Sequence, residues 1–67
     1  MKEDMKRSVL VVDDEKVFRN YIRQMKVWED RELYIADEAR SAEEALRILE
    51  RQEINIVILD VSMPGKN

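Results

Sequence analysis

Three aspartates stand where this chain could do chemistry. Asp13 and Asp14 directly follow the apolar run Val9-Leu10-Val11-Val12, and Asp60 follows Ile56-Val57-Ile58-Leu59 in the same way. Two ionised carboxylates about 4 Å apart repel by roughly 4 kcal/mol at an effective dielectric near 20, so three gathered together need a counterion or a proton. Mg²⁺ meets that need, because it takes oxygen ligands in octahedral geometry, keeps several waters and commonly joins protein carboxylates to a substrate phosphate. A carboxylate beside such an ion can then attack phosphorus.

Gathering them is the task of the elements around them. Both apolar runs lack strict alternation, are rich in β-branched residues and end in aspartate, as expected of parallel strands covered on both faces. Between them Val17, Phe18, Tyr21, Ile22 and Met25 recur at helical spacing, and so do Ala42, Ala45, Leu46 and Leu49. Ser41 with Glu44 three residues on reads as a capping box that starts the second helix. Leu33-Tyr34-Ile35-Ala36, continued by Asp37-Glu38-Ala39, reads as a strand whose charges suit an edge. The order is strand, helix, strand, helix, strand, with right-handed crossovers. Ligands of open α/β sheets bind beyond the carboxyl ends of the strands, where strand order reverses. A first strand lying between the other two would bring Asp13, Asp14 and Asp60 to that edge. Met63-Pro64-Gly65 reads as a turn after the last strand.

Composition sets limits on the whole. At 67 residues the chain is one domain at most, and a domain of this size buries only about 60% of the surface its unfolded chain exposes. With no cysteine and no histidine it has neither disulfides nor the usual zinc ligands, which favours a cytoplasmic setting. Hydrophobic residues make up 45% and charged residues 40%, a balance that fits a globular fold with a well-solvated exterior. The apolar runs are far shorter than a membrane span or a signal-peptide core. A net charge of −3 gives no general reason to bind nucleic acid, although Lys2, Lys6 and Arg7 make residues 1–7 a basic, solvated leader. Arg19, Arg23 and Lys26 read as a solvated helix face.

Taken singly, Asp14 or Asp60 is most simply a helix cap or a turn residue. Together with the Met-Pro-Gly turn, the three aspartates are harder to explain by capping. Val9 to Glu15 reads VLVVDDE and Ile56 to Gly65 reads IVILDVSMPG; these motifs and their separation resemble those of response-regulator receiver domains. The stretch from Asp37 to Leu46 is similar to that family's second strand and second helix, so the resemblance covers nearly the whole chain. Trp28-Glu29 resembles a feature of receivers found in AraC-type regulators.

The resemblance implies a flavodoxin-like α/β fold with parallel strand order 2-1-3. It also implies that Asp13 and Asp14 bind Mg²⁺, directly or through water, that Asp60 is the phosphorylated aspartate, and that the backbone carbonyl of Ser62 completes the metal site. The phosphoryl donor would be a phosphohistidine on a partner kinase or phosphotransfer domain, or else a small acyl phosphate. The complete family fold has five strands, so the order read here is a partial fold lacking strands 4 and 5. In the family those strands carry a Ser or Thr and a Lys that contact the phosphoryl group, and Lys66 lies in the wrong segment to replace that Lys. Losing one such charge stabiliser typically costs about 10²–10³ in rate, so low intrinsic activity is expected.

Two other functions compete. A haloacid-dehalogenase-like phosphatase also places a nucleophilic aspartate after a parallel strand, but resembles D-x-D there, whereas Ser62 stands at the second position here. A non-catalytic interaction module could pair with a second copy, or with a complementary half, through the edge of the third strand. Dinucleotide and nucleotide cradles are disfavoured, because Gly65 is the only glycine and both need glycines after an early strand.

Overall fold

The computed structural model describes residues 6–59. Among the described residues six elements run in the order β1 (Arg7–Val12), α1 (Lys16–Arg23), α2 (Val27–Asp30), β2 (Leu33–Ala39), α3 (Ala42–Arg51) and β3 (Ile56–Leu59). All three strands are parallel, and β1 lies between β2 and β3. This is the 2-1-3 order expected from the sequence.

The central place of β1 explains its composition. Val9, Leu10, Val11 and Val12 are at most 1% exposed, so both faces of the strand are covered. Leu10 and Val12 join Ala39, Ala45 and Ile48 in the core on the α3 side, with Ile54 packed against it. Each fully buried branched side chain there contributes roughly 1.5–3 kcal/mol from its removal from water.

The edge strand β2 keeps its charges by means of a bulge. Val9 pairs with Ile35 but Leu10 pairs with Asp37, so Ala36 is an extra residue in β2. The shift puts Asp37 level with Leu10 and Glu38 level with Val11, so the two acids point to opposite faces. Asp37 then accepts a hydrogen bond from Gln52 Nε2 at the end of α3 (2.8 Å), whereas Glu38 meets arginines of α1.

The helices depart from the sequence reading in three ways. The first apolar stripe is broken: α1 stops at Arg23, so Met25 falls beyond it, and Trp28 stands on the separate short helix α2. Its indole N–H donates to the carbonyl of Ile22 (2.6 Å), which also accepts from the N–H of Met25 (3.2 Å) where the helix ends. No residue of α1 is buried, and Val17 (80%) and Tyr21 (64%) are largely exposed. On α3 the buried positions are Ala45 and Ile48, while Leu46 and Leu49 face outward. This helix lies over β2 and β1, so its inward stripe is set by those strands.

The start of α3 is as expected, with one adjustment. Ser41 Oγ accepts from the N–H of Glu44 (3.1 Å), and the Glu44 carboxylate accepts from the N–H of Arg40 (2.8 Å), one residue before the cap itself. β1 begins at Arg7, whose N–H donates to the Glu32 carbonyl (3.1 Å).

Candidate functional site

The three strands end level with one another. Val12 pairs with Ala39 on one side and with Leu59 on the other, so the chain leaves β1 and β3 at the same edge of the sheet, the carboxyl edge. Asp13 is the next residue after Val12, and Asp60 follows Leu59 in sequence.

Asp13 is almost fully buried, at 2% exposed. Its N–H continues the ladder to β2 by donating to the Ala39 carbonyl (2.9 Å). Its carboxylate Oδ1 accepts from the N–H of Glu15 (2.8 Å), closing a tight turn just before α1. The N-cap of α1 is Glu15, which makes no side-chain cap hydrogen bond. Asp14 is therefore not a helix cap; it stands exposed in the loop between β1 and α1. The simpler structural role expected of an aspartate here falls in part to Asp13.

A third interaction holds this loop from the side. Arg19, in the first turns of α1, donates from Nη1 to the backbone carbonyl of Asp13 (2.7 Å) and from Nε to Glu38 Oε1 (2.9 Å). Arg23, one turn further on, donates to Glu38 Oε2 (2.7 Å). The side chain of Arg19 is only 13% exposed and that of Glu38 23%, against 48% for Arg23. The solvated arginine face expected from the sequence is thus overturned for Arg19, because Glu38 on the α1 side of the sheet supplies a carboxylate for it. The signal in the sequence was the pair of charges Asp37 and Glu38 inside a strand otherwise without them, of which Glu38 faces α1 once the bulge is counted.

Asp60 and Ser62 lie outside the described residues. Among the described residues no three His, Cys, Asp or Glu side chains gather closely enough to hold a metal ion, and Asp13 and Asp14 form the described part of the expected ligand set. That part fits Mg²⁺: both side chains offer hard anionic oxygens, on one short loop at the edge where an open α/β sheet binds ligands. No helix of the described residues is long and apolar enough to cross a membrane.

A parallel sheet of order 2-1-3 with a paired acidic loop at the carboxyl end of its central strand defines the class: a partial α/β fold of the flavodoxin-like kind. Within that class the chain belongs to the response regulator receiver domain family, whose sequence profile matches residues 9–67. It is 36% identical over 60 residues to an uncharacterized response regulatory protein of Staphylococcus epidermidis, covering 90% of this chain and 24% of that protein. To the aerobic respiration control protein ArcA of Escherichia coli it is 39% identical over 59 residues, with 88% and 24% covered. The transcriptional regulatory protein HptR of Staphylococcus aureus is 32% identical over 60 residues, with 90% and 24% covered. The chain thus spans about a quarter of the length of these curated relatives. No solved structure matches it significantly.

Proposed function

We propose that Asp60 accepts a phosphoryl group from a phosphohistidine of a partner histidine kinase or phosphotransfer protein, in the cytoplasm. The observation that supports this most is the register: Leu59, the residue before Asp60, sits beside Val12, the residue before the acidic pair. Asp13, Asp14, Asp60 and the Ser62 backbone carbonyl would hold Mg²⁺. Held by those residues, Mg²⁺ would supply charge neutralisation for phosphoryl oxygens in the transition state.

The remaining work belongs to the chain. A carboxylate oxygen of Asp60 attacks phosphorus in line with the leaving imidazole. The O–P bond forms, the N–P bond breaks, the nitrogen keeps the electron pair and takes a proton, and an aspartyl phosphate results. Asp13, fixed by its turn and nearly buried, keeps its carboxylate in one orientation, whereas exposed Asp14 is free to ligate through water. On this reading residues 1–67 act as one receiver unit, with the basic residues before β1 as a solvated leader. This is a signalling role rather than catalytic turnover, and nucleic-acid contact is not assigned to this segment.

The test is incubation with Mg²⁺ and a small acyl phosphate, read by intact mass. One added phosphoryl group is expected in the wild type, and none in Asp60→Asn or without Mg²⁺. A folded wild-type chain that gains no mass, both with this donor and with a phosphorylated histidine domain, would refute the phosphoacceptor reading.

One observation favours a second reading, that of an interaction module. Among the described residues β3 has one strand neighbour, and Ile56, Val57 and Leu59 of this strand are 37–52% exposed. Such an apolar edge favours pairing with a second copy of the chain.

A further inference from the structure

We propose that Arg19, held by Glu38, is a positioning residue that sets the affinity of the Asp13–Asp14 loop for Mg²⁺. The inference rests on the metal-site reading above and adds to it a residue that touches neither metal nor phosphate.

Three observations carry it. The guanidinium of Arg19 joins three elements at once, because it sits on α1, bonds the Asp13 carbonyl in the loop after β1, and pairs with Glu38 on β2. It does so at 13% side-chain exposure, where the fork loses little to water and has few alternative geometries. Its target is the backbone of the one residue whose carboxylate is already committed to a turn, through Glu15 N–H at 2.8 Å. The Asp13 peptide is therefore fixed at its N–H by Ala39, at its carbonyl by Arg19 and at its side chain by Glu15. Partners of this kind, which orient a ligand without contacting the ion, typically change metal affinity about 10–100-fold when removed.

Arg19 also carries a positive charge close to the proposed cation site, and that charge acts against Mg²⁺. The two effects have opposite signs, so substitution separates them. If orientation dominates, Arg19→Ala weakens Mg²⁺ binding although a repelling charge has gone. If charge dominates, Arg19→Ala tightens it. Arg19→Lys keeps the charge but cannot bond the Asp13 carbonyl and Glu38 together as a fork does. Glu38→Gln leaves Arg19 in place and removes the anion that holds it.

The test measures Mg²⁺ binding by titration calorimetry on the full chain. Alongside it, amide exchange is followed at Glu15, with thermal unfolding by circular dichroism as the folding check. Arg19→Lys and Glu38→Gln should each weaken Mg²⁺ about tenfold and speed exchange at the Glu15 amide. Arg23→Ala, which touches only the outer oxygen of Glu38, should change neither. Should Arg19→Ala fail to fold, the Lys and Gln variants carry the comparison. Wild-type affinity and unchanged Glu15 exchange in those folded variants would overturn the proposal, as would tighter binding in folded Arg19→Ala. A wild type that binds no Mg²⁺, or binds it equally well as Asp14→Asn, would instead sink the metal-site reading and the affinity claim with it; the Glu15 exchange rates would still show whether Arg19 fixes the loop.

Discussion

Ser8 is a polar residue at the buried start of the central strand, and its partners account for it. Its hydroxyl donates to the Glu53 carbonyl (2.9 Å) and its N–H to Asn55 Oδ1 (2.9 Å), while the Asn55 N–H donates back to Ser8 Oγ (3.2 Å). This small network pins the loop before β3 to the start of β1, and so fixes the register that brings Leu59 beside Val12. No buried side-chain nitrogen or oxygen among the described residues lacks a partner, as a well-formed interior requires. Ser8→Ala leaves the Glu53 carbonyl without its donor and should cost about 1–2 kcal/mol, read as a lower urea midpoint with an unchanged slope. Stability equal to wild type would mean that water replaces the hydroxyl there.

Among the elements, the passage from α1 to β2 is the part built against local preference. Two short helices stand in place of one long one, and the Trp28 indole bonds back to the Ile22 carbonyl across the break between them. The chain then enters β2 through Glu32, whose φ of 59° is the left-handed region. For a residue with a Cβ that conformation costs about 1–2 kcal/mol, and glycine relieves it while giving back about 0.5–1 kcal/mol through unfolded-state entropy. The position is held by hydrogen bonds on both sides, from Glu32 N–H to Glu29 and from Arg7 N–H to the Glu32 carbonyl. Glu32→Gly should therefore stabilise the chain by up to about 1 kcal/mol, and β-branched Glu32→Val should destabilise it by at least as much. A thermal shift in the opposite order would show that the Glu32 side chain contributes contacts of its own.

At the scale of the whole fold, coverage of the sheet is uneven among the described residues. β1 is sealed, whereas all but Ile58 of β3 and the apolar residues Val17 and Tyr21 of α1 are exposed. Among the described residues the buried hydrophobic core is small: seven residues, four of them from β1. A fold of this kind has little stability to spare. We expect the isolated chain to associate as its concentration rises, and Val57→Lys, a charge placed on the edge strand, to shift it toward monomer. Sedimentation velocity across a concentration series checks this. A wild-type monomer at every concentration would count against the interaction-module reading while leaving the phosphoacceptor reading untouched.

Much of this was legible in the sequence because it rests on local pattern. Unbroken, β-branched apolar runs ending in aspartate read as covered parallel strands from residue type and spacing, whereas their 2-1-3 order, which brings Asp13 and Asp14 to the carboxyl edge of the central strand, was implied by the resemblance to receiver domains. Ser41 and Glu44 marked the start of α3 for the same reason, since a cap bonds within one turn. What only the tertiary structure decided depends on residues far apart in sequence. The bulge at Ala36 sends Glu38 to the α1 side of the sheet, Arg19 leaves solvent because that carboxylate is there, and Ile48 rather than Leu46 turns inward because α3 lies over β1 and β2. Periodicity states that a helix has an apolar side; which residues of that side are buried is set by the neighbour, and the neighbour is chosen by the fold.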